Sequence, residues 1–234
     1  CVKRPLFLFA STLSCASCLF KIMVDGIVEI NIRPITGNWT HGWALDQHTV
    51  HGTTGDSDSF IPPELDGEPN GIGLALFKLK FHDDPAQAEP IARTVAAFIR
   101  ARPELADIAA ILPVPPSDWR RSYQPVDIIT LRVAELLRLP SPDDYLLKTK
   151  QTKPLKGIND KRLRPRLLNN AFMITNKRFA NRHVLLFDDI YRSGQTLKAV
   201  TLALLFQGNV GMVSVVTATS IVIAASADNR GNGA

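Results

Sequence analysis

Apolar and polar residues alternate through Val24-Asp25-Gly26-Ile27-Val28-Glu29-Ile30-Asn31-Ile32, and this two-residue period predicts a β-strand over residues 24–33. From Pro34 to Gly73 the chain is polar and rich in Gly, Pro, Asp and Ser, which predicts loops and short hairpins. Leu74, Ala75, Phe77, Leu79 and Phe81 fit a strand or a helix equally well. Beyond Pro85 the period lengthens: Ile91, Val95, Phe98 and Ile99 share one helical face, and the helix ends near Pro103. The unbroken apolar run Ile108 to Val114, closed by Pro115-Pro116-Ser117-Asp118, predicts a buried strand entering a loop. Val126, Ile129, Val133, Leu136 and Leu137 mark a helix stopped by Pro140, and Tyr145-Leu146-Leu147 a brief strand. His183 to Phe187 reads as a strand that meets Asp188-Asp189 abruptly. Leu197, Val200, Leu204 and Leu205 then mark a helix with Gly208 as its C-cap, and residues 210–225, dominated by Val, Ile and Thr, a last strand.

This succession predicts an α/β fold, a parallel sheet with helices on both faces. Ligands of such sheets bind beyond the carboxyl ends of the strands, where both Pro115-Pro116-Ser117 and Asp188-Asp189 fall. A chain of 234 residues can bury one such core and an appendage. The divisions expected are a non-native or poorly ordered extension over 1–22, an N-terminal accessory region over 23–104, a core over 105–225 and a disordered tail over 226–234. Met23, directly before the alternating stretch, is the expected natural start. The apolar run after Lys3-Arg4 is too short to span a bilayer.

Composition narrows the picture further. An apolar fraction of 45% and a charged fraction of 21% exclude wholesale disorder. The net charge of +5 is unevenly spread: eleven Lys and Arg against one Asp between Lys148 and Arg182 make that stretch +10, and the rest sums to −5. A local anion site follows, for phosphate, diphosphate or nucleic acid. The stretch contains Pro154, Gly157 and Pro165 and little periodicity, so a mobile loop is expected. Three cysteines, Cys1, Cys15 and Cys18, build no disulfide framework, and a reducing cytoplasm is the compartment expected. Cys15 and Cys18 are half a zinc site, but His41, His48 and His51 complete no zinc spacing, and two free thiols are the simpler reading.

Adjacent carboxylates at the end of an apolar strand require partners, because buried charge is costly. Asp188 and Asp189 can accept hydrogen bonds from ribose hydroxyls, or hold a metal directly or through water. Arg192-Ser193-Gly194-Gln195-Thr196 then opens a helix whose free N–H groups and dipole suit a phosphate. Acids for a sugar followed by a cradle for its phosphate are together what a ribose 5-phosphate needs. Neither the Walker loop nor the Gly-x-Gly-x-x-Gly fingerprint occurs there.

Val184 to Thr196 resembles the signature of type I phosphoribosyltransferases, an apolar strand, Asp-Asp, an apolar residue and a Ser/Thr-Gly-x-Thr loop. The wider chain is similar to the ComF-like branch through Ile111 to Pro116 with Arg120-Arg121 and Tyr123-Gln124-Pro125. The same similarity runs from Thr152 to Ile158 through Arg162 to Ala171-Phe172, and through Gly37-Asn38-Trp39, Gly42 to Asp46 and His48-Thr49. Thr217-Ala218-Thr219-Ser220-Ile221 departs from the Thr-Arg-rich ending of that branch, and its four-cysteine N-terminal ribbon is missing. The resemblance implies a type I phosphoribosyltransferase core over 105–225 and an N-terminal hood. It implies binding of 5-phosphoribosyl 1-diphosphate (PRPP) with Mg²⁺, then attack of a nitrogen acceptor on ribose C1 with release of pyrophosphate. The residues it implies for catalysis are Asp188, Asp189, Arg121 and Lys153. Tyr191 to Thr196 join the acids on the ribose 5-phosphate, while Pro115, Pro116, Ser117, Arg120, Arg121, Lys156 and Arg162 face the pyrophosphate. The partners expected are PRPP and a small acceptor, with nucleic acid secondary, no membrane, and a homodimer as a possible assembly. A PRPP sensor, or a competence-related accessory binding single-stranded DNA, is the alternative.

Overall fold

The computed structural model describes residues 26–48, 71–116, 123–149 and 171–221. Its elements in chain order are β1 (Arg33–Pro34), β2 (His41–His48), α1 (Ile72–Phe81), α2 (Ala88–Arg100), β3 (Ile108–Pro113) and α3 (Pro125–Leu137). They continue with β4 (Leu146–Lys148), β5 (Phe172–Ile174), β6 (His183–Tyr191), α4 (Gln195–Phe206) and β7 (Met212–Ile221). The central sheet has the order β1-β2-β7-β6-β3. Its last four strands are mutually parallel, and β1 lies antiparallel on β2. The protein is thus α/β with a mostly parallel central sheet.

Alternation along the strands divides the core in two. On β6, Val184 and Leu186 pack with α4 and the β4–β5 hairpin, while Leu185 and Phe187 pack with α1, α2 and α3. Val213 and Val215 of β7 follow the first group and Val216 and Ala218 the second. Each such side chain withdrawn from water contributes about 1.5–3 kcal/mol, and burial on both faces explains why β3 and the Val184–Phe187 part of β6 read as unbroken apolar runs.

Three expectations change, and one open choice is decided. Of the alternating stretch 24–33, the described residues 26–33 form only the bridge Glu29–Gly71 and the start of the short β1, because Val28 N–H donates to Thr94 Oγ1 on α2 at 3.0 Å and not to a neighbouring strand. Within the expected loops of 34–73, residues 41–48 form a full strand parallel to β7, with Ala44 and Leu45 buried on opposite faces. The undecided segment is the helix α1, whose buried residues Ile72, Ala75, Leu76 and Leu79 recur at helical spacing. Gly208 is not the cap of α4: Gln207 holds that place in a right-handed conformation. Gly208 follows where an added Cβ would come within 2.8 Å of the Leu204 carbonyl and Tyr145 Oη.

At the amino ends of the strands, His183 joins Asp107 through Nδ1 (2.6 Å) and Ser214 Oγ through Nε2 (2.8 Å). The residue types are those of a hydrolase triad, but Ser214 is fully buried and lies at the end of the sheet opposite the acidic pair. The chain is therefore a structural tie between β3, β6 and β7. His183→Ala leaves the Ser214 hydroxyl without its partner and should cost about 2 kcal/mol in a denaturant titration.

Candidate functional site

The site is built at the carboxyl ends of β3 and β6. β7 continues to Ile221 and supplies partners past the acidic pair: Asp188 stands opposite Thr217, Ile190 opposite Thr219 and Tyr191 opposite Ser220. The strand therefore does not stop at Phe187, as its apolar pattern suggests, but carries Asp188 and Asp189 within it. Thr219 Oγ1 donates to the Asp189 carbonyl at 3.3 Å, and Asp189 N–H donates to Asp188 Oδ1 at 2.9 Å. On the other side, Val114 N–H donates to the Phe187 carbonyl at 2.9 Å, which sets Pro115 and Pro116 beside the acids' strand.

Electrostatics set the two acids apart. Burial, and next the neighbouring Asp189 charge, push the Asp188 carboxyl well above its ordinary range. Asp189 is paired with Lys80, which reaches it from the last turn of α1. An anion held at such a cost gains from any hydroxyl or cation brought to it.

Immediately after β6, Arg192-Ser193-Gly194 turn the chain into α4. Gly194 is the N-cap in a left-handed conformation, φ 66°, and its carbonyl accepts from Lys198 N–H at 2.8 Å. The N–H groups of the first helical turn, Gln195 and Thr196 among them, have no acceptor within the helix. Arg192 and Ser193 are exposed, whereas Gly194 is buried.

The turn is braced by a segment that motif reading left without a role. Trp39, buried between Gly37 and Gly42, donates from Nε1 to the Ile35 carbonyl at 3.1 Å and meets the Tyr191 ring edge-on at 6.3 Å. Tyr191 Oη donates to the Thr36 carbonyl at 3.4 Å, and Asn38 Nδ2 to the Lys198 carbonyl at 3.0 Å. Gly37-Asn38-Trp39 thus clamps the strand-to-helix turn from outside.

On the β3 side, Lys148 Nζ donates to the Pro116 carbonyl at 3.1 Å, and burial lowers the Lys148 pKa. Thr149 N–H donates to the Ala171 carbonyl at 2.9 Å, so the two residues flanking the basic stretch 150–170 lie side by side at the end of the β4–β5 hairpin. The structure brings together Asp188, Asp189, Tyr191, Arg192, Ser193, Gly194, Gln195, Thr196, Pro115 and Pro116. Ser117, Arg120, Arg121, Lys153, Lys156 and Arg162 lie outside the described residues, as do Cys15, Cys18 and His51. Sequence reading missed Lys80, Thr219 and the bracing role of Trp39. Only the choice of helix over strand for 72–81 would have placed Lys80.

Among the described residues no group of three or more His, Cys, Asp and Glu could hold a metal ion by itself. No described helix is long and apolar enough to cross a membrane. No protein-family model matches the chain. Competence protein F of Haemophilus influenzae is 31% identical over 97 residues, which cover 39% of this chain and 42% of that protein. The chain is thus similar, distantly and in part, to a ComF protein, and it spans less than half of that relative's length.

Proposed function

We propose that this chain is a phosphoribosyltransferase of the type I, ComF-like kind, binding PRPP at the carboxyl ends of β3 and β6. The observation that carries the reading is one continuous segment, in which two neighbouring carboxylates at the end of β6 lead within five residues to the left-handed N-cap of α4. Ribose 2′ and 3′ hydroxyls would donate to Asp188 and Asp189, and the 5′-phosphate would accept from the N–H groups opening α4. The 1-diphosphate would then leave C1 between the acids and Pro115-Pro116, where Lys148 stands. Ser117, Arg120, Arg121, Lys153, Lys156 and Arg162, outside the described residues, are further proposed contacts.

The reaction proposed is attack of a nitrogen acceptor on C1 as the C1–O bond to diphosphate breaks, with positive charge developing on the ring. Catalysis would be positional and electrostatic, because the new negative charge appears on the leaving group. Mg²⁺ suits this donor set: it keeps several waters and needs one or two carboxylates besides phosphate oxygens, which Asp188 and Asp189 supply. When bound, it would neutralise charge on the diphosphate.

The similarity to Competence protein F favours a second reading, a non-catalytic PRPP sensor or a competence accessory that binds single-stranded DNA along Lys148 to Arg182. Phe172 and Phe179, the aromatics of that stretch, are buried at 3% and 9% exposure, so neither offers a face for stacking bases. Isotope-labelled PRPP incubated with the protein, Mg²⁺ and a panel of bases and amines decides between them. Acceptor-dependent pyrophosphate release is the result expected. Binding of DNA that falls steeply with salt, with no binding of PRPP, would reverse the order.

A further inference from the structure

Lys80 sits in the last turn of α1, where the negative end of the helix dipole favours a cation. A lysine turned to solvent would meet that preference equally well. Its side chain is instead only 14% exposed and is spent on Asp189, itself 18% exposed. The helix beneath it is anchored, because Leu79 is fully buried and its carbonyl accepts from the Tyr123 hydroxyl. Holding a lysine stem in this way sacrifices rotamer freedom that a role in solubility would leave intact.

We propose that Lys80 is a ligand-contacting residue of the sugar site, its ammonium binding the 1-diphosphate of PRPP while Asp189 orients it. The inference rests on the phosphoribosyl reading of the Asp188–Asp189 turn. Two adjacent carboxylates repel each other, and both repel an incoming diphosphate; a cation seated on Asp189 offsets each repulsion. An ammonium has three donors, so the bond to Asp189 leaves two directions for phosphate oxygens, and lysine binds phosphate as a point charge without demanding one approach. Lys148 stands at the β3 end of the site against Pro116, whereas Lys80 stands at the β6 end, beside the acids proposed to hold the ribose.

The test is calorimetric titration of the full chain in Mg²⁺ with two probes, PRPP and ribose 5-phosphate, which lacks the diphosphate. Lys80→Met should weaken PRPP about tenfold or more, while ribose 5-phosphate stays within about threefold of wild type. Lys80→Arg, which keeps the charge, should recover most of the loss. Lys80→Gln removes the charge but keeps a hydrogen bond to Asp189, and repeats the comparison should Lys80→Met melt below the working temperature. Equal weakening of both ligands would make Lys80 a mere counter-ion of Asp189, and unchanged PRPP affinity would remove it from the site; either result overturns the inference alone. A wild-type protein that binds neither ligand overturns the phosphoribosyl reading and the inference with it.

Discussion

Replacing Asp188 and Asp189 together by Ala is expected to abolish PRPP binding while the fold stands. Hydrogen bonds from sugar hydroxyls to ionised carboxylates are worth about 1.5–3 kcal/mol each, so losing both acids should weaken binding at least about a hundredfold. Loss of Asp189 leaves Lys80 without its carboxylate, but loss of Asp188 should spare the scaffold, because burial and the Asp189 charge push the Asp188 carboxyl well above its ordinary value of 3.8. For an acid whose folded pKa is raised, the native state keeps the proton longer than the unfolded chain. Stability is then full below the unfolded value and falls as pH rises through it, until the folded pKa is passed. Asp188→Asn removes this loss. It should therefore raise the melting temperature at neutral pH and flatten the decline that begins near about pH 4, while still weakening the ligand. Calorimetry with PRPP and thermal melts from acid to neutral pH measure the two effects separately. Unchanged affinity would strip the acids of their sugar-binding role, and a lowered neutral-pH melt for Asp188→Asn would show that the carboxylate serves the fold.

The parallel core was legible because its strands are short, apolar and closed by Pro-Pro or by charge, as Ile108 to Pro116 and His183 to Asp189 are. What escaped was set by long-range pairing. β2 carries Gly42, Trp43, Asp46 and His48, which read locally as loop, and it becomes a strand because β7 offers it a ladder from Ser214 to Ile221. β6 overruns its apolar run for the same reason, since Thr217, Thr219 and Ser220 extend the ladder beyond Phe187. In α1 the misleading signal was the alternation of Phe77, Leu79 and Phe81; Phe81 is exposed, and burial falls on Ile72, Ala75, Leu76 and Leu79.

The site was legible to the extent that it is contiguous. Asp188 through Thr196 are consecutive from the end of β6 into α4, so their order alone suggests carboxylates for a sugar and a helix start for a phosphate. Lys80 lies 109 residues away along the chain and Thr36 lies 155 residues from Tyr191. No spacing rule connects such residues; only the packing of α1 over the sheet and of the segment before β2 against α4 does.

That packing makes Gly194→Ala the most disruptive single change expected in the turn. A side chain at φ 66° costs roughly 1–2 kcal/mol in backbone strain. The new Cβ would also stand 2.8 Å from Tyr191 Cε2, 3.2 Å from Tyr191 Oη and 3.3 Å from Trp39 Cη2. Neither ring is free to withdraw, because Tyr191 Oη is tied to the Thr36 carbonyl and Trp39 is buried and tied to Ile35. Crowding of this kind adds about 1–3 kcal/mol, so a total of about 2–5 kcal/mol is expected in a denaturant titration. Shifting the opening N–H groups of α4 by even a fraction of an ångström should also weaken ribose 5-phosphate about tenfold or more. A double-mutant cycle with Tyr191→Ala separates the two causes: removing the ring relieves the crowding but leaves the strain, so the pair should be less destabilising than the sum of its singles. Strict additivity would mean that the clamp does not press on the turn, and the position of the first helical turn would then depend on the backbone of Gly194 alone.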